Sequence, residues 1–248
     1  MNWDLHTVYK TLIYSSVVFL FACKKDKAGC MDMRGDLTEK TIILDAFSYI
    51  HLSDRMSISF VEDSSDYAVI TAGDNVIDGI QVKQSGQQIA ISEINTCNWI
   101  RKIDPLPHVE IHFTEMAHIY SENSGRIGFM TPFTRDSLLV EVMDVSGSIT
   151  LNVACQDLNI VVHTGATDVY VEGTCNYAYI YNSGYAPIKA QDLKAKTVSV
   201  HNNSLGDTYV NAFETLYYQI YHQGNVHASG EAEIIKWHQS GGGQIIRE

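Results

Sequence analysis

The sequence predicts an all-β protein: a right-handed parallel β-solenoid, a β-helix-like stack of roughly 20-residue coils, with a less regular β front half. Three observations lead there. From Thr41 onward, apolar and polar residues alternate at period two in short runs, such as Met56, Ile58 and Phe60, or Val109, Ile111 and Phe113. No run in that region carries a 3.6-residue apolar stripe with helix caps, which excludes a core of alternating strands and helices. In the C-terminal half, a unit of alternating strand, polar residue and glycine recurs at a near-constant interval.

The chain is long enough to bury a core: 248 residues, 45% hydrophobic and 10% aromatic. The formal net charge is -12, the wrong sign for displacing counterions from a nucleic-acid backbone, so nucleic acid is not an expected partner. Five cysteines are too sparse for a disulfide scaffold.

The N-terminus reads as an address. Lys10 precedes the apolar run from Thr11 to Ala22, and Cys23 follows it. A basic residue, a short apolar run and a small residue before the cleavage point describe a secretory signal peptide over residues 1–22. The run is too short to span a bilayer, which takes roughly 20 apolar residues. Leu20-Phe21-Ala22-Cys23 resembles a bacterial lipobox, which makes Cys23 the candidate lipidation site. Lys24-Lys25-Asp26 resembles the charged tag that follows such a cysteine in surface-exported lipoproteins. Residues 23–40 are polar and aperiodic and read as a lipid-anchored tether. The tripeptide Arg34-Gly35-Asp36 within them is short enough to recur by chance. Residues 41–248 then form a single domain.

The repeat is clearest in the second half. Leu158-Asn-Ile-Val-Val-His-Thr-Gly165 aligns with Tyr177-Ala-Tyr-Ile-Tyr-Asn-Ser-Gly184 and with Tyr217-Tyr-Gln-Ile-Tyr-His-Gln-Gly224. Val198 to Ser204 fills the gap, and Ile235-Lys-Trp-His-Gln-Ser-Gly241 closes the series. A second short strand follows each turn, as at Ile149–Val153 and Asp168–Val171. An antiparallel sandwich is the rival architecture, but its strands need not hold such a register.

These turns carry a resemblance. Val145-Ser-Gly-Ser-Ile149, Thr164-Gly-Ala-Thr-Asp-Val169, Asn182-Ser-Gly-Tyr-Ala186, Ser204-Leu-Gly-Asp-Thr208 and Gln239-Ser-Gly-Gly-Gly243 resemble the Ser-Gly-Ala-Gly-Asp-Val-like turns of a known family. That family is the auto-transporter adhesin head (GIN) domain of Bacteroidetes lipoproteins. The likeness extends from about Ile42 to Ile246. It implies the fold and an exported, cell-envelope location more than an activity.

Candidate sites are few. Two residues before each turn glycine stand His163, Asn182 and His222, with Asn202 and His238 nearby. Such a column could hold a metal or a sugar, but stacked polar side chains more often satisfy one another as a ladder. The compact spacings of zinc sites do not occur. Tyrosines cluster in three adjacent coils, and Tyr177, Tyr179, Tyr181, Tyr218 and Tyr221 are candidate ligand contacts. Their flat apolar faces and polar tips suit sugars and proteins alike, and equally suit a core. Glu62, Asp63, Asp66, Asp74 and Asp78 sit in two loops. A β-helix lyase would need a base beside such carboxylates, and Lys83 is nearly the only one near them. Cys155 and Cys175 lie one repeat apart, which places their Cα atoms about 5 Å apart, close enough for a disulfide.

The reading is therefore a non-enzymatic, lipid-anchored outer-membrane protein, periplasmic or cell-surface. It binds or adheres to a glycan or a protein, needs no cofactor, and meets the membrane through its anchor. The alternatives are a polysaccharide-active β-helix enzyme and a purely structural envelope protein.

Overall fold

The computed structural model of the protein describes residues 33–96 and 105–248. Cys23 and the signal segment lie outside the described residues. The described chain is strand and turn throughout, apart from one 3-10 turn at Ile77–Gly79, and its stacked parallel strands form a β-solenoid of about 6 turns.

Two sheets form the two faces of a flattened solenoid. The first face runs β5 (Ile80–Ser85), β6 (Gln88–Glu93), β2 (Tyr49–Asp54), β8 (His118–Asn123) and β10 (Ser137–Val142). It continues through the C-terminal halves of β11 (Ser148–Val162), β12 (Asp168–Asn182), β13 (Ile188–Asn202) and β14 (Thr208–Ile220), and ends at β16 (Glu233–Gln239). The second face runs β1 (Leu37–Ile43), β4 (Tyr67–Gly73), β7 (His108–Phe113), β3 (Ser57–Glu62) and β9 (Arg126–Phe129). It continues through the N-terminal halves of β11 to β14 and ends at β15 (Val226–Ser229) and β17 (Ile245–Arg247).

Strands β11 to β14 run from one face to the other as single strands, with register shifts between Tyr170 and Glu172 on β12 and between Ala190 and Thr197 on β13. Their alternation sets the core. Leu158, Ile160 and Val162 point inward, as do Ala178 and Ile180, then Val198 and Val200, and all are buried. Each such side chain, fully buried, contributes about 1.5–3 kcal/mol. At the N-terminal end Phe60, Phe113, Phe129 and Phe133 fill the space between the faces, with ring centroids 5.1 to 6.4 Å apart.

The front half follows the same two faces but out of chain order. Strand β2 sits between β6 and β8, and β3 sits between β7 and β9. The first coil is thus sandwiched between the second and third. Antiparallel strands β1, β4 and β5 close this end of the stack.

The β region starts at Leu37, inside the expected tether. Strand β1 pairs with β4 over seven residues, yet only one of its side chains is even partly buried. A strand held by backbone pairing alone shows no apolar alternation to detect.

Cys155 and Cys175 are direct partners across β11 and β12. Both are buried free thiols here rather than the candidate disulfide. Parallel neighbours project their side chains the same way, so a relaxed bond between them needs added twist. Burial pushes the Cys155 thiol up to about 11, with Asp157 adding to it. Burial pushes Cys175 up to about 12, with Cys155 and Asp157 adding. Both are expected to alkylate slowly at about pH 8 in the folded protein and rapidly in denaturant, because the thiolate is the reactive form. Mass spectrometry of labelled peptides reads this. Equal rates in the two states would contradict the burial.

Candidate functional site

On the outer side of the first face, equivalent positions of successive coils fall into columns. Val161, Tyr181, His201, Gln219 and His238 are register partners across β11, β12, β13, β14 and β16. Strand period two turns them outward, and coil stacking brings equivalent residues to a strand spacing of about 4.8 Å. Their rings, with those of His163 and Tyr221 one step further along, make a ladder. His163 and Tyr181 lie 6.1 Å apart, Tyr181 and His201 4.8 Å, His201 and Tyr221 4.6 Å, and Tyr221 and His238 4.7 Å. The last two pairs are stacked, with interplanar angles of 26° and 23°. Beyond the ladder, Trp237 faces outward two residues after Ile235, the partner of Tyr217, and is the extra residue at a register shift in β16. It is 58% exposed, and its ring lies 4.8 Å from that of Tyr217.

Toward the N-terminal end the same surface becomes acidic. Glu141 on β10 sits between two imidazoles, with Oε2 2.7 Å from His118 Nε2 and Oε1 3.4 Å from His163 Nε2. His51 Nε2 lies 2.8 Å from Glu122 Oε2. Burial first, and then the neighbouring Tyr120, Glu141 and Glu122, raise the Tyr49 phenol above its ordinary value. Burial and the same two carboxylates raise Tyr120. Burial, followed by the neighbouring His238, lowers His201, so its imidazole is uncharged at neutral pH.

The second face differs. There Lys189 Nζ lies 5.0 Å from the centroid of the Tyr170 ring. Tyr209 stacks on His227 at 4.3 Å, and His227 is held between Asp207 and Glu248 at 3.1 and 2.8 Å. Where β11 to β14 bend between the faces, an open groove is lined by residues that include Cys155, Cys175, Lys194, Lys196 and Phe213.

Tyr177, Tyr179 and Tyr181 are half-buried on the outward side, and Tyr221 is exposed beside them. Tyr218 is not part of this surface. It is buried on the inner side with Leu216 and Ile220, because its position in the alternation points into the core. Tyr217 takes the outward place on that coil.

The expected polar ladder of His163, Asn182, Asn202, His222 and His238 is not one column. Asn182 and Asn202 are direct partners and fully buried. Their side-chain oxygens accept from the backbone N–H of Gly184 and Ser204, both at 3.2 Å, and so brace the turns from within. His163 and His238 belong to the outer ladder, and His222 lies in an exposed turn. The glycine alignment misleads because Val162, not His163, is the partner of Asn182.

The front-half carboxylates hold structure together. Asp63 Oδ2 is 2.9 Å from His112 Nδ1, Asp66 accepts from Thr114, and Glu62 pairs with Arg135 at 2.7 Å. Hydrogen bonds that the Asp63 carboxylate accepts from the Ser64 backbone N–H and from His112 lower its carboxyl below the ordinary range. Among the described residues no group of three or more His, Cys, Asp or Glu side chains could hold a metal ion. No described helix is long and apolar enough to cross a membrane.

Sequence reasoning missed His201, Trp237 and the His118–Glu141–His163 bridge, and it saw Tyr217 only as a member of the tyrosine cluster, with Tyr218 singled out in its place. Columns read from strand register, rather than from turn glycines, would have found His201 and Tyr217.

Residues 46–232 match the sequence profile of the family described as "Putative auto-transporter adhesin, head GIN domain". Among solved structures, a putative adhesin from Bacteroides fragilis is 21% identical with a TM-score of 0.79, covering 88% of this chain and 100% of that one. A putative lipid binding protein from Parabacteroides distasonis is 17% identical with a TM-score of 0.69, covering 88% and 99%. A putative adhesin from the same organism is 14% identical with a TM-score of 0.63, covering 88% and 100%. These likenesses establish the solenoid fold. No curated protein matches the chain.

Proposed function

The chain belongs to the auto-transporter adhesin head GIN domain family, and from that premise we propose that it is a non-enzymatic binding module of the cell envelope. A lipid on Cys23 holds it to the outer membrane, and the outer side of its first face meets a glycan or a protein. The observation that carries this reading is the ladder of Tyr and His rings on that face, ending at the exposed Trp237. Amphipathic aromatic side chains set outward on a rigid scaffold are the residue types that concentrate binding energy at interfaces. The family supports an envelope or extracellular setting, and Leu20-Phe21-Ala22-Cys23 supports the anchor.

Two measurements test it. In fractionated cells the wild type is expected in the salt-washed membrane, and Cys23→Ala in the soluble exported fraction. The two or more acyl chains of a lipidated cysteine each contribute about 0.8 kcal/mol per buried CH2. A wild type recovered wholly soluble would overturn the anchor. Immobilised protein is expected to retain envelope or host-surface glycans or glycoproteins, and to lose retention when Tyr221→Ala and Trp237→Ala are combined. Unchanged retention would remove this face from the role, and turnover of a retained polysaccharide would favour an enzyme.

A further inference from the structure

We propose that the ligand of the first face is an uncharged, hydroxyl-rich glycan lying along the solenoid axis; this rests on the reading of that face as the binding surface. The argument begins with charge. Two central columns, Asn159–Tyr179–Ser199–Tyr217 and Val161–Tyr181–His201–Gln219, are register partners across four coils. Neither contains Lys, Arg, Asp or Glu. The flanking outward positions on β12 to β14 are Tyr177, Thr197 and Thr215, equally uncharged. In a chain of net charge -12, such a patch on the protein's most aromatic surface is unusual.

An anionic polymer needs cations to pair with its carboxylates or sulfates. Of the lysines nearest in the fold, only Lys236 lies on this face, exposed at its C-terminal rim on a strand that also carries the exposed Glu233; Lys194 and Lys196 line the corner groove, and Lys189 packs over Tyr170 on the opposite face. The surface therefore offers an anion one lysine at its rim and no row of cations along its length, and the acidic protein repels it.

Ring geometry narrows the ligand further. His201, Tyr221 and His238 stack on one another, so their flat faces are largely covered. What they present outward is ring edges, phenol hydroxyls and imidazole nitrogens, groups that both donate and accept hydrogen bonds. These follow one another from coil to coil at ring spacings of 4.6 and 4.7 Å. A polymer with repeating hydroxyls matches a repeating row of donors and acceptors, whereas a protein partner seeks a pocket for an anchor residue. At the C-terminal end Trp237, 58% exposed, provides an open flat face on which a sugar ring's C–H face can pack.

The test uses the full chain purified in mild detergent and run on native gels containing dextran, mannan or xylan, or the anionic polygalacturonate or heparin. Retention by at least one neutral polymer is expected, the same at low and high salt because no ion pair is involved. Trp237→Ala is expected to weaken it roughly tenfold, and Tyr181→Phe, which removes one hydroxyl and keeps the ring, by a smaller factor. Circular dichroism establishes that each variant is folded. Salt-sensitive retention by the anionic polymers alone would overturn the neutral-glycan assignment and leave the binding module standing. So would neutral-polymer retention that neither variant changes. Retention by none of the five polymers would also overturn it, and the capture experiment on envelope and host material then decides separately whether the face binds anything.

Discussion

Tyr218→Ala is expected to cost about 3 kcal/mol of stability and leave ligand retention unchanged once the protein is folded, while Tyr181→Ala does the reverse. The two residues are register equivalents one step out of phase. Tyr218 lies across from Val200, 6% exposed, inside the stack. Removing a large buried aromatic loses its transfer free energy and leaves a cavity that a parallel stack cannot readily close, together about 3–5 kcal/mol. Slight exposure sets the expectation at the lower end. Tyr181 is half-buried on the outside, so its loss leaves a notch open to water rather than a cavity. Denaturant unfolding of both variants measures the difference. Equal destabilisation would show that the outward tyrosines are structural.

Gly173→Ala is expected to destabilise the protein by more than about 2 kcal/mol, and Gly128→Ala by only a few tenths. At Gly173 the backbone φ is +110°, and a Cβ there would lie 2.0 Å from the Val153 carbonyl oxygen of the adjacent coil. Holding a non-glycine residue in such a conformation costs about 1–3 kcal/mol, and the clash adds to that by forcing two coils apart. At Gly128 the φ is ordinary and the nearest atom to a Cβ, the Thr150 carbonyl oxygen, is 3.9 Å away. The paired variants thus separate the demand of coil contact from a general cost of replacing glycine in a strand. Thermal melts of both proteins read it directly.

The coils of the second half were legible because two periods coincide there. Strand alternation told inside from outside, and the interval near 20 residues told which residues are neighbours. Cys155 and Cys175 come out as direct partners for that reason. The same alternation placed Tyr218 beside Leu216 and Ile220, and its tyrosine identity alone made it a surface candidate. The outer ladder was harder. Successive turns differ in length by a residue, so counting back from each glycine joined the outer His163 to the inner Asn182. Alternation from Ile235 places Trp237 outward, but a register shift there turns its neighbour His238 outward as well, which blurs the pattern. The front half was least legible. The insertion of β2 between β6 and β8 is a long-range choice of partners, and β1 has no buried face to leave a pattern. The bridge of His118 and His163 through Glu141 joins residues of β8, β10 and the turn after β11, which no single repeat contains.

The measurement that bears most directly on the binding face is hydroxyl-radical footprinting of the full chain with and without its retained glycan or partner. The rings of Tyr181, Tyr221 and Trp237 are expected to be protected on binding, while Tyr170 and Tyr209, on the opposite face, label at the same rate in both states. Protection at Tyr170 and Tyr209 with none at Tyr181, Tyr221 and Trp237 would place the ligand on the other sheet and contradict the account.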